Sequence, residues 1–367
     1  MKLKVMLTFG TRPEAIKMAP LIKELKSRKN IEAIVCVTAQ HRQMLDQVLQ
    51  IFNIEPDYDL NIMIQGQTLS DITVRVIEGL EKIIKEVNPD IFLVHGDTTT
   101  SFAAALASFY NHIPIGHVEA GLRTYNKYSP YPEEANRQFV DTISDIYFAP
   151  TEQCKQYLLK ESKRPDNIIV TGNTAIDALQ TTVIDNYTHE IIDWAENNHL
   201  ILLTAHRREN LGEPMRQMFR AIMRIVEKYQ DIKVVYPVHL NPVVKQAADD
   251  IFGRCERVML TNPLNVIDFH NIMNKSHLIL TDSGGIQEEA PHLGKPVVVL
   301  RDTTERPEGI AAGTLKLAGT KEENIFNIVD ELLSNDMKYT LMSNSSNPYG
   351  DGHASERIAD EIIKRYL

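Results

Sequence analysis

The chain has 367 residues, of which 43% are hydrophobic and 24% are charged, and its formal net charge at pH 7 is −10. This length predicts two domains and a core that is stable without disulfides. The acidic balance argues against a broad basic surface for nucleic acid, and no apolar run approaches the ~20 residues of a membrane span. The three cysteines form no C-x-x-C motif, and the N-terminal apolar run is too short for a signal peptide. We therefore expect free thiols and a cytoplasmic protein.

Short apolar runs alternate with helical patterns over the first 150 residues. The runs are rich in Val and Ile and lack period-two alternation, which predicts parallel strands covered on both faces, at residues 3–9, 32–38, 90–96, 113–119 and 145–150. Apolar residues at helical spacing predict helices over 13–28 and 69–87. Pro13 falls in the first turn of the former, where its missing N–H is tolerated.

The same alternation repeats after residue 199. Strands are predicted at 200–206, 232–238, 257–262, 277–283 and 295–301, with helices at 213–229 and 241–252. Strand–helix alternation on this scale predicts an α/β fold of two Rossmann-like domains facing a deep cleft, with their junction near residues 170–196. Ligands of such sheets bind beyond the carboxyl ends of the strands, so the informative residues should follow the apolar runs.

A glycine turn at Gly10 follows the first predicted strand and leads into a helix that carries Arg12 and Lys17. A helix N-terminus beside a guanidinium and an ammonium group is typical of an anion site, and a solvated basic face is the alternative. The turn is neither a G-x-G-x-x-G fingerprint nor a P-loop.

A second candidate anion site is TDSGGIQEEA at residues 281–290. Ser283, Gly284 and Gly285 precede a predicted helix, as in a phosphate cradle, yet Glu288 and Glu289 follow within about one turn. The sequence therefore predicts an anion site here whose two carboxylates need a separate role.

Carboxylates follow neighbouring predicted strands of the first domain. Asp97 and Glu119 should lie at the tips of two adjacent strands, and Glu133 should begin the next helix. Carboxylates that converge on one cleft raise one another's pKa values and make acid–base partners. The structural alternatives are that Asp97 only caps the helix it precedes and that Glu133 or Glu134 only balances a helix dipole.

His206 follows a strand of the second domain and is a natural acid–base candidate at neutral pH. The adjacent Arg207 and Arg208 favour an anion-binding loop, His239 follows the next strand, and Arg306 follows the last clear one. Metal binding, a Ser-His-Asp hydrolase and hydride transfer have little support, because their sequence signatures do not occur.

Taken together, these motifs closely resemble the non-hydrolysing bacterial UDP-N-acetylglucosamine 2-epimerases. The resemblance covers residues 8 to about 355 and includes FGTRPEAIKMAPL, VTAQHRQMLDQVL, VHGDTTT, GHVEAGLRT, SPYPEEANR, TGNTAIDAL, TAHRREN, YPVHLNP, ILTDSGGIQEEAPHLGKPVVVLRDTTERPEG and NPYGDGHAS. It implies a glycosyltransferase-B-type fold, with residues 1–171 and 355–367 in an N-terminal domain and residues 172–354 in a C-terminal, UDP-binding domain.

The resemblance also implies a reaction and a set of site residues. Members interconvert UDP-GlcNAc and UDP-ManNAc without NAD and without an essential metal, by anti elimination of UDP to 2-acetamidoglucal and syn readdition. The implied catalytic residues are Asp97, Glu119, Glu133 and His206, with the base and the acid left unassigned. The implied UDP-binding residues are Arg12, Lys17, Phe269, Ser283, Gly284, Gly285, Glu289 and Arg306, with Glu289 on the ribose hydroxyls and Glu288 structural.

Several members are activated by UDP-GlcNAc at a second site. The implied positions of that site here are Gln40, His41, Gln43, Gln67, Arg207 and His239, and Gly66 stands where some regulated members carry arginine. The resemblance further implies a homodimer that supplies UDP-ManNAc for a surface polysaccharide. The alternatives are a hydrolysing epimerase that releases ManNAc and UDP, a nucleotide-sugar glycosyltransferase, and a binding protein without turnover.

Overall fold

The computed structural model describes residues 2–367. The chain forms two compact units. The first unit runs to Thr181 and includes the C-terminal segment Tyr349–Leu367, and the second unit is Thr182–Pro348. Each unit contains one parallel sheet, so the prediction of two Rossmann-like domains is confirmed.

The first unit is built on a seven-stranded sheet of order β3-β2-β1-β4-β5-β6-β7. Its strands are β1 Leu3–Phe9, β2 Ile31–Val37, β3 Tyr58–Asp59, β4 Ile91–His95, β5 Ile115–Val118, β6 Ile146–Ala149 and β7 Ile168–Val170. Its helices are α1 Arg12–Ser27, α2 Arg42–Phe52, α3 Leu69–Val87, α4 Thr99–Tyr110, α5 Glu133–Ile143, α6 Glu152–Lys160, α7 Thr174–Thr182, which ends at the boundary, and the C-terminal α16 Ala354–Tyr366.

The second unit is built on a six-stranded sheet of order β10-β9-β8-β11-β12-β13. Its strands are β8 His199–Thr204, β9 Ile232–Pro237, β10 Val258–Thr261, β11 Leu278–Thr281, β12 Val297–Val299 and β13 Leu315–Leu317. Its helices are α8 Glu190–Ala195, α9 Glu213–Lys228, α10 Pro242–Phe252, α11 Val266–Lys275, α12 Ile286–His292, α13 Pro307–Ala312, α14 Glu322–Ser334 and α15 Asp336–Ser343.

The strands form because their apolar residues can be buried on both faces of the sheet. All five residues of β4 are buried, and Phe92 and Val94 pack with Val76 and Leu80 of α3. In the second unit, the ring of Phe219 lies 5.5 Å from that of Tyr236 and 4.8 Å from that of Phe252, measured between centroids. Covering both faces leaves the strand ends as the places where polar side chains can gather.

The unit boundary lies at residues 181/182 rather than at 171/172, and the return to the first unit begins at Tyr349 rather than at Ser355. The cause is that α7 belongs to the first unit. The amide of Asn173 donates to the Tyr349 carbonyl (2.7 Å), and Asp177 accepts hydrogen bonds from the amides of Ala354 and Ser355.

No helix within residues 2–367 has both the length and the apolar character that crossing a membrane would require.

Candidate active site

The ends of β4 and β5 bring two of the predicted carboxylates together. The strands are parallel neighbours, and His95 at the end of β4 is in register with Val118 at the end of β5. The amide of Gly96 donates to the Val118 carbonyl at 2.9 Å, so the next residues, Asp97 and Glu119, leave the sheet side by side. The prediction that both lie at neighbouring strand tips is confirmed.

Asp97 is held by two residues of α5. Its carboxylate forms an ion pair with the Arg137 guanidinium, and its carbonyl accepts a hydrogen bond from Asn136 Nδ2 at 3.0 Å. The alternative role as a helix cap is wrong, because the N-cap of α4 is Thr98, whose hydroxyl accepts from the Ser101 amide. The Asp97 carboxylate is therefore not used to start a helix.

Glu119 is the most enclosed of the three carboxylates, with only 5% of its side chain exposed. Its carboxylate pairs with the Lys17 ammonium, accepts a hydrogen bond from Asn173 Nδ2 at 2.9 Å, and lies 3.5 Å from an Arg137 nitrogen. Burial alone would raise the pKa of Glu119, but Lys17 and Arg137 hold that pKa well below its usual range. Glu119 is therefore an anion at neutral pH.

His95 stands beside Glu119 with its Nε2 3.8 Å from the Glu119 carboxylate. The side chain is buried, and Nε2 has no hydrogen-bond partner among residues 2–367. Burial lowers the pKa of His95 to about 3, against the weaker opposing effect of Glu119, so the imidazole is neutral at pH 7.

Helix α5 begins at Glu133, as predicted, and presents Glu133, Arg137 and Asp141 at intervals of four residues, which places them on one helical face. Glu133 is partly exposed, whereas its neighbour Glu134 is buried and accepts hydrogen bonds from the amides of Thr124 and Tyr125 (both 2.9 Å). Glu134 therefore holds the preceding loop. Of the two, Glu133 is the better candidate for chemistry.

The turn before α1 is organised by a buried carboxylate that the sequence analysis did not single out. One oxygen of Glu14 accepts from the amides of Gly10 and Thr11, and the other accepts from the hydroxyls of Thr98 and Ser101. Glu14 thus ties the first turn to the loop that carries Asp97. A capping box, S/T-x-x-E, is the signal that could have found it.

The two basic residues of this turn differ in their surroundings. Arg12 is the first residue of α1 and is partly buried, which lowers its pKa. The Lys17 ammonium, one turn further along, is directed at Glu119. Lys17 therefore adds its charge to the carboxylate cluster, in addition to the anion-binding role that the sequence predicts for it.

In the second unit, the loop after β8 is held by Asp282, the second residue of the TDSGG segment. A single oxygen of this buried carboxylate accepts from the amides of His206 and Arg207 and from Asn210 Nδ2, at 2.8–3.1 Å. The other oxygen lies 3.4 Å from Nδ1 of His206. Burial lowers the pKa of His206 against the opposing effect of Asp282. The His206 ring also stacks on His239, with centroids 5.6 Å apart.

The glycines of TDSGG precede α12, as predicted, and one of them is required by a close approach. A Cβ at Gly284 would lie 2.7 Å from Nη1 of Arg306. That guanidinium is itself fixed by Glu288 (2.6 Å) and Glu305 (2.7 Å). The prediction that Glu288 is structural agrees with this contact.

The amides of the same segment are not all equivalent. The Ser283 amide donates to the Thr281 hydroxyl at 2.9 Å, so the amides of Gly284 and Gly285 are the better candidates for holding an anion.

Glu289 is partly exposed, and its carboxylate lies 3.6 Å from Nε2 of His270. Phe269, next to His270 on α11, is also partly exposed.

The residues predicted for a second nucleotide-sugar site fall in both units. In the first unit, Gln67 Nε2 donates to the Gln40 carbonyl at 3.1 Å, and His41 and Gln43 lie at the start of α2. In the second unit, Arg207 lies 3.7 Å from Glu305, and His239 stacks on His206. Of these positions, His239 is in direct contact with a predicted catalytic residue, His206. Across residues 2–367, no group of three or more His, Cys, Asp or Glu side chains is arranged to hold a metal ion.

Comparison with known proteins places these residues in a known context. The family model for UDP-N-acetylglucosamine 2-epimerase matches residues 23–363. A Bacillus subtilis (strain 168) UDP-N-acetylglucosamine 2-epimerase is 64% identical over 365 residues, covering 100% of this chain and 96% of the relative. A Staphylococcus aureus MnaA–UDP structure (TM-score 0.93, 55% identity) covers 99% of this chain and 96% of its own. A Neisseria meningitidis UDP-GlcNAc 2-epimerase structure with bound UDP-GlcNAc (TM-score 0.92, 51% identity) covers 99% and 100%.

Proposed function

Because the chain belongs to the UDP-N-acetylglucosamine 2-epimerase family, we propose that it interconverts UDP-GlcNAc and UDP-ManNAc without hydrolysis. The observation that carries the proposal is the cluster formed by Asp97 and Glu119, two carboxylates at adjacent strand ends that share Arg137. Epimerisation at C2 requires one group to remove a proton and another to return one on the opposite face. Glu133, on the same face of α5 as Arg137, is the third candidate for these steps.

The proposed reaction also needs residues that stabilise the leaving diphosphate. The C2 proton is not acidic, because no carbonyl is attached to that carbon, so the departure of UDP must develop positive charge at C1. The leaving diphosphate therefore needs preorganised donors, each of which is worth ~3 kcal/mol in comparable sites. We assign this role to Arg12, His206, Arg306 and the amides of Gly284 and Gly285.

The uridine end of the substrate takes no part in the chemistry and needs only to be bound. A carboxylate accepts hydrogen bonds from ribose hydroxyls, and an aromatic ring packs against the flat face of a base. Glu289 and Phe269, which α12 and α11 hold in the second unit, are assigned these two roles.

The test is to incubate the protein with UDP-GlcNAc in D₂O and to follow the products by NMR. The proposal expects UDP-ManNAc as a minor product with deuterium at C2. Free ManNAc with UDP would support the hydrolysing alternative, and unchanged UDP-GlcNAc would support a binding protein or a transferase that lacks its acceptor. Asp97→Asn and Glu119→Gln should each lower turnover by ~10²-fold or more, the scale of general acid–base catalysis. Glu81→Gln, which removes an exposed partner of Lys85 on α3, is the matched control.

Activation by the substrate is part of the proposal. Gln40, Gln67 and Arg207 are assigned to a second UDP-GlcNAc site that raises turnover from the first. In the same NMR assay, UDP-ManNAc alone should react slowly and should speed up when a little UDP-GlcNAc is added. Full reverse velocity without UDP-GlcNAc would rule this regulation out. A homodimer, a cytoplasmic location and supply of UDP-ManNAc to a surface polysaccharide remain predictions of the sequence.

A further inference from the structure

A buried histidine on β5 makes two contacts that together fix its protonation state. His117 is fully buried, with Nε2 at 2.8 Å from the Gly96 carbonyl and Nδ1 at 2.6 Å from the Asp141 carboxylate. A carbonyl oxygen can only accept, so Nε2 must carry a proton. The remaining question is which partner carries the proton between Nδ1 and Asp141.

The surroundings of Asp141 answer that question. Its second oxygen accepts hydrogen bonds from Arg123 (2.6 Å) and from the Gly121 amide (3.3 Å), as an ionised carboxylate does. The distance of 2.6 Å between Nδ1 and the first oxygen of Asp141 requires a proton between the two atoms, and the two donors on the second oxygen favour the ionised carboxylate. The proton is therefore assigned to Nδ1, and both ring nitrogens of His117 are donors.

A doubly protonated imidazole carries a positive charge, and a buried charge is tolerated only when it is paired. His117 and Arg123 supply two positive charges, and Asp141 and Glu161 supply two negative ones. Glu161 ends this series of ion pairs by accepting two hydrogen bonds from Arg123, both at 2.7 Å. The four side chains form a charge-balanced series that runs from β5 through α5 to the end of α6.

The Gly96 contact gives this series a consequence for the site. Gly96 has φ of +65°, and its amide and carbonyl are both tied to β5, the amide to Val118 and the carbonyl to the His117 ring. Asp97 follows directly. Glu119 lies two residues after His117, just beyond the end of β5. The position of Asp97 relative to Glu119 thus depends on where the His117 ring lies.

We propose that His117 is a positioning residue, a buried imidazolium that clamps the Gly96 carbonyl and so fixes Asp97 relative to Glu119. The proposal rests on the assignment of these two carboxylates as acid–base residues. His117 itself touches no substrate. It acts through the backbone of the turn that carries Asp97.

Two substitutions separate the two contacts of the ring. His117→Asn keeps an amide near the place of Nδ1, facing Asp141, and loses the donor to Gly96. His117→Gln extends an amide to the place of Nε2 and keeps the donor to Gly96. Because a displacement of about 1 Å can cost ~10²-fold in rate, the Asn variant should lose ~10- to 100-fold in kcat with little change in KM, and the Gln variant should retain most of its kcat. His277→Asn, in a ring stack of the second unit, controls for loss of a histidine.

The charge state is tested independently of turnover. In ¹H–¹⁵N spectra of histidine-labelled wild-type protein at pH 7.5, the signal that disappears in His117→Gln should show protons on both ring nitrogens. A single ring proton on that histidine would overturn the inference. Equal losses of kcat in the Asn and Gln variants, or wild-type kcat in both, would also overturn it. Full turnover by Asp97→Asn would instead refute the proposed function, leaving the NMR result intact.

Discussion

His95 provides a pH dependence of stability whose sign and size follow from its burial. Its pKa is about 3 in the folded protein and about 6.5 when the chain is unfolded. Between these values the unfolded state binds one more proton than the folded state, so this histidine makes the protein less stable as the pH falls below 6.5. The stability is fully present above pH 6.5 and is lost progressively towards pH 3. The charged groups that face His95 are Glu119, Lys17, Arg137 and His117.

The proposed change is His95→Gln, which removes this proton without removing the polar character of the site. Linkage over one titrating group predicts that His95 lowers the free energy of unfolding of the wild-type protein by roughly 1–2 kcal/mol between pH 6.5 and pH 5.0. For a domain of 150–250 residues, 1 kcal/mol corresponds to about 2–4 °C in Tm, so the wild-type Tm should fall roughly 2–8 °C further than that of the variant. His206 and His277 are also shifted downwards, but they contribute equally to both proteins.

The assay is differential scanning calorimetry at half-unit steps from pH 5.0 to 7.5. His112→Gln, at an exposed turn, is the matched control and should give a curve parallel to that of the wild type. Parallel curves for the wild type and His95→Gln would show that His95 is already charged in the folded protein. That result would refute the argument that burial outweighs the attraction of Glu119.

Two further substitutions test the organisation of the turns. Gly284→Ala should lower Tm and weaken UDP binding measured by calorimetry, because the new Cβ displaces the guanidinium of Arg306. Gly285→Ala should lower Tm less, because the nearest atom to its Cβ is a carboxylate oxygen of Glu289 at 3.6 Å. Equal Tm losses at the two glycines would contradict this reasoning. Glu14→Gln should lower the free energy of unfolding, measured in urea, by ~1–3 kcal/mol, because the amide nitrogen of glutamine cannot accept hydrogen bonds from the donors that face it. Glu24→Gln on the same helix should lower it less. A Glu14→Gln protein as stable as the wild type would refute the idea that this carboxylate ties the two turns together.

The sequence predicts the central strands of both sheets and one of the four edge strands, β10, and misses the other three edge strands. All ten predicted apolar runs contain strands, and β1 coincides with residues 3–9. The strands without a prediction are β3, β7 and β13, and each lies at an edge of its sheet. Each of the three missed strands has one neighbour and only two or three residues, and β7, with the sequence IIV, is the only one of them that is apolar throughout. The periodicity of hydrophobic residues reports burial, and these strands are only half buried.

The candidate site was predictable where it depends on strand ends and unpredictable where it depends on helix faces. Asp97 and Glu119 follow two apolar runs, and the rule that parallel strands end at one edge predicts their proximity. The partners Lys17 and Arg137 could not be predicted, because their contacts depend on how α1 and α5 rotate against the sheet. The spacing of four residues between Arg137 and Asp141 weakly predicts that both lie on one face of α5. Asp282 was visible in TDSGG, but its role in holding the loop of His206 was not.

The charge balance of the first unit explains how an acidic chain can hold carboxylates at the site proposed for an anionic substrate. Four cations and four anions are paired around the ends of β4 and β5: Lys17, His117, Arg123 and Arg137 with Asp97, Glu119, Asp141 and Glu161. Each carboxylate has a cation within contact distance, so the cluster adds no net charge when His117 is protonated, and the acidic excess of the chain lies elsewhere. Pairing also holds the pKa values of Glu119 and Asp141 below their usual range despite burial, so these two carboxylates are oriented acceptors before any substrate arrives. In the proposed reaction, a proton taken from C2 enters this paired cluster, which requires less reorganisation than an exposed pair of carboxylates would.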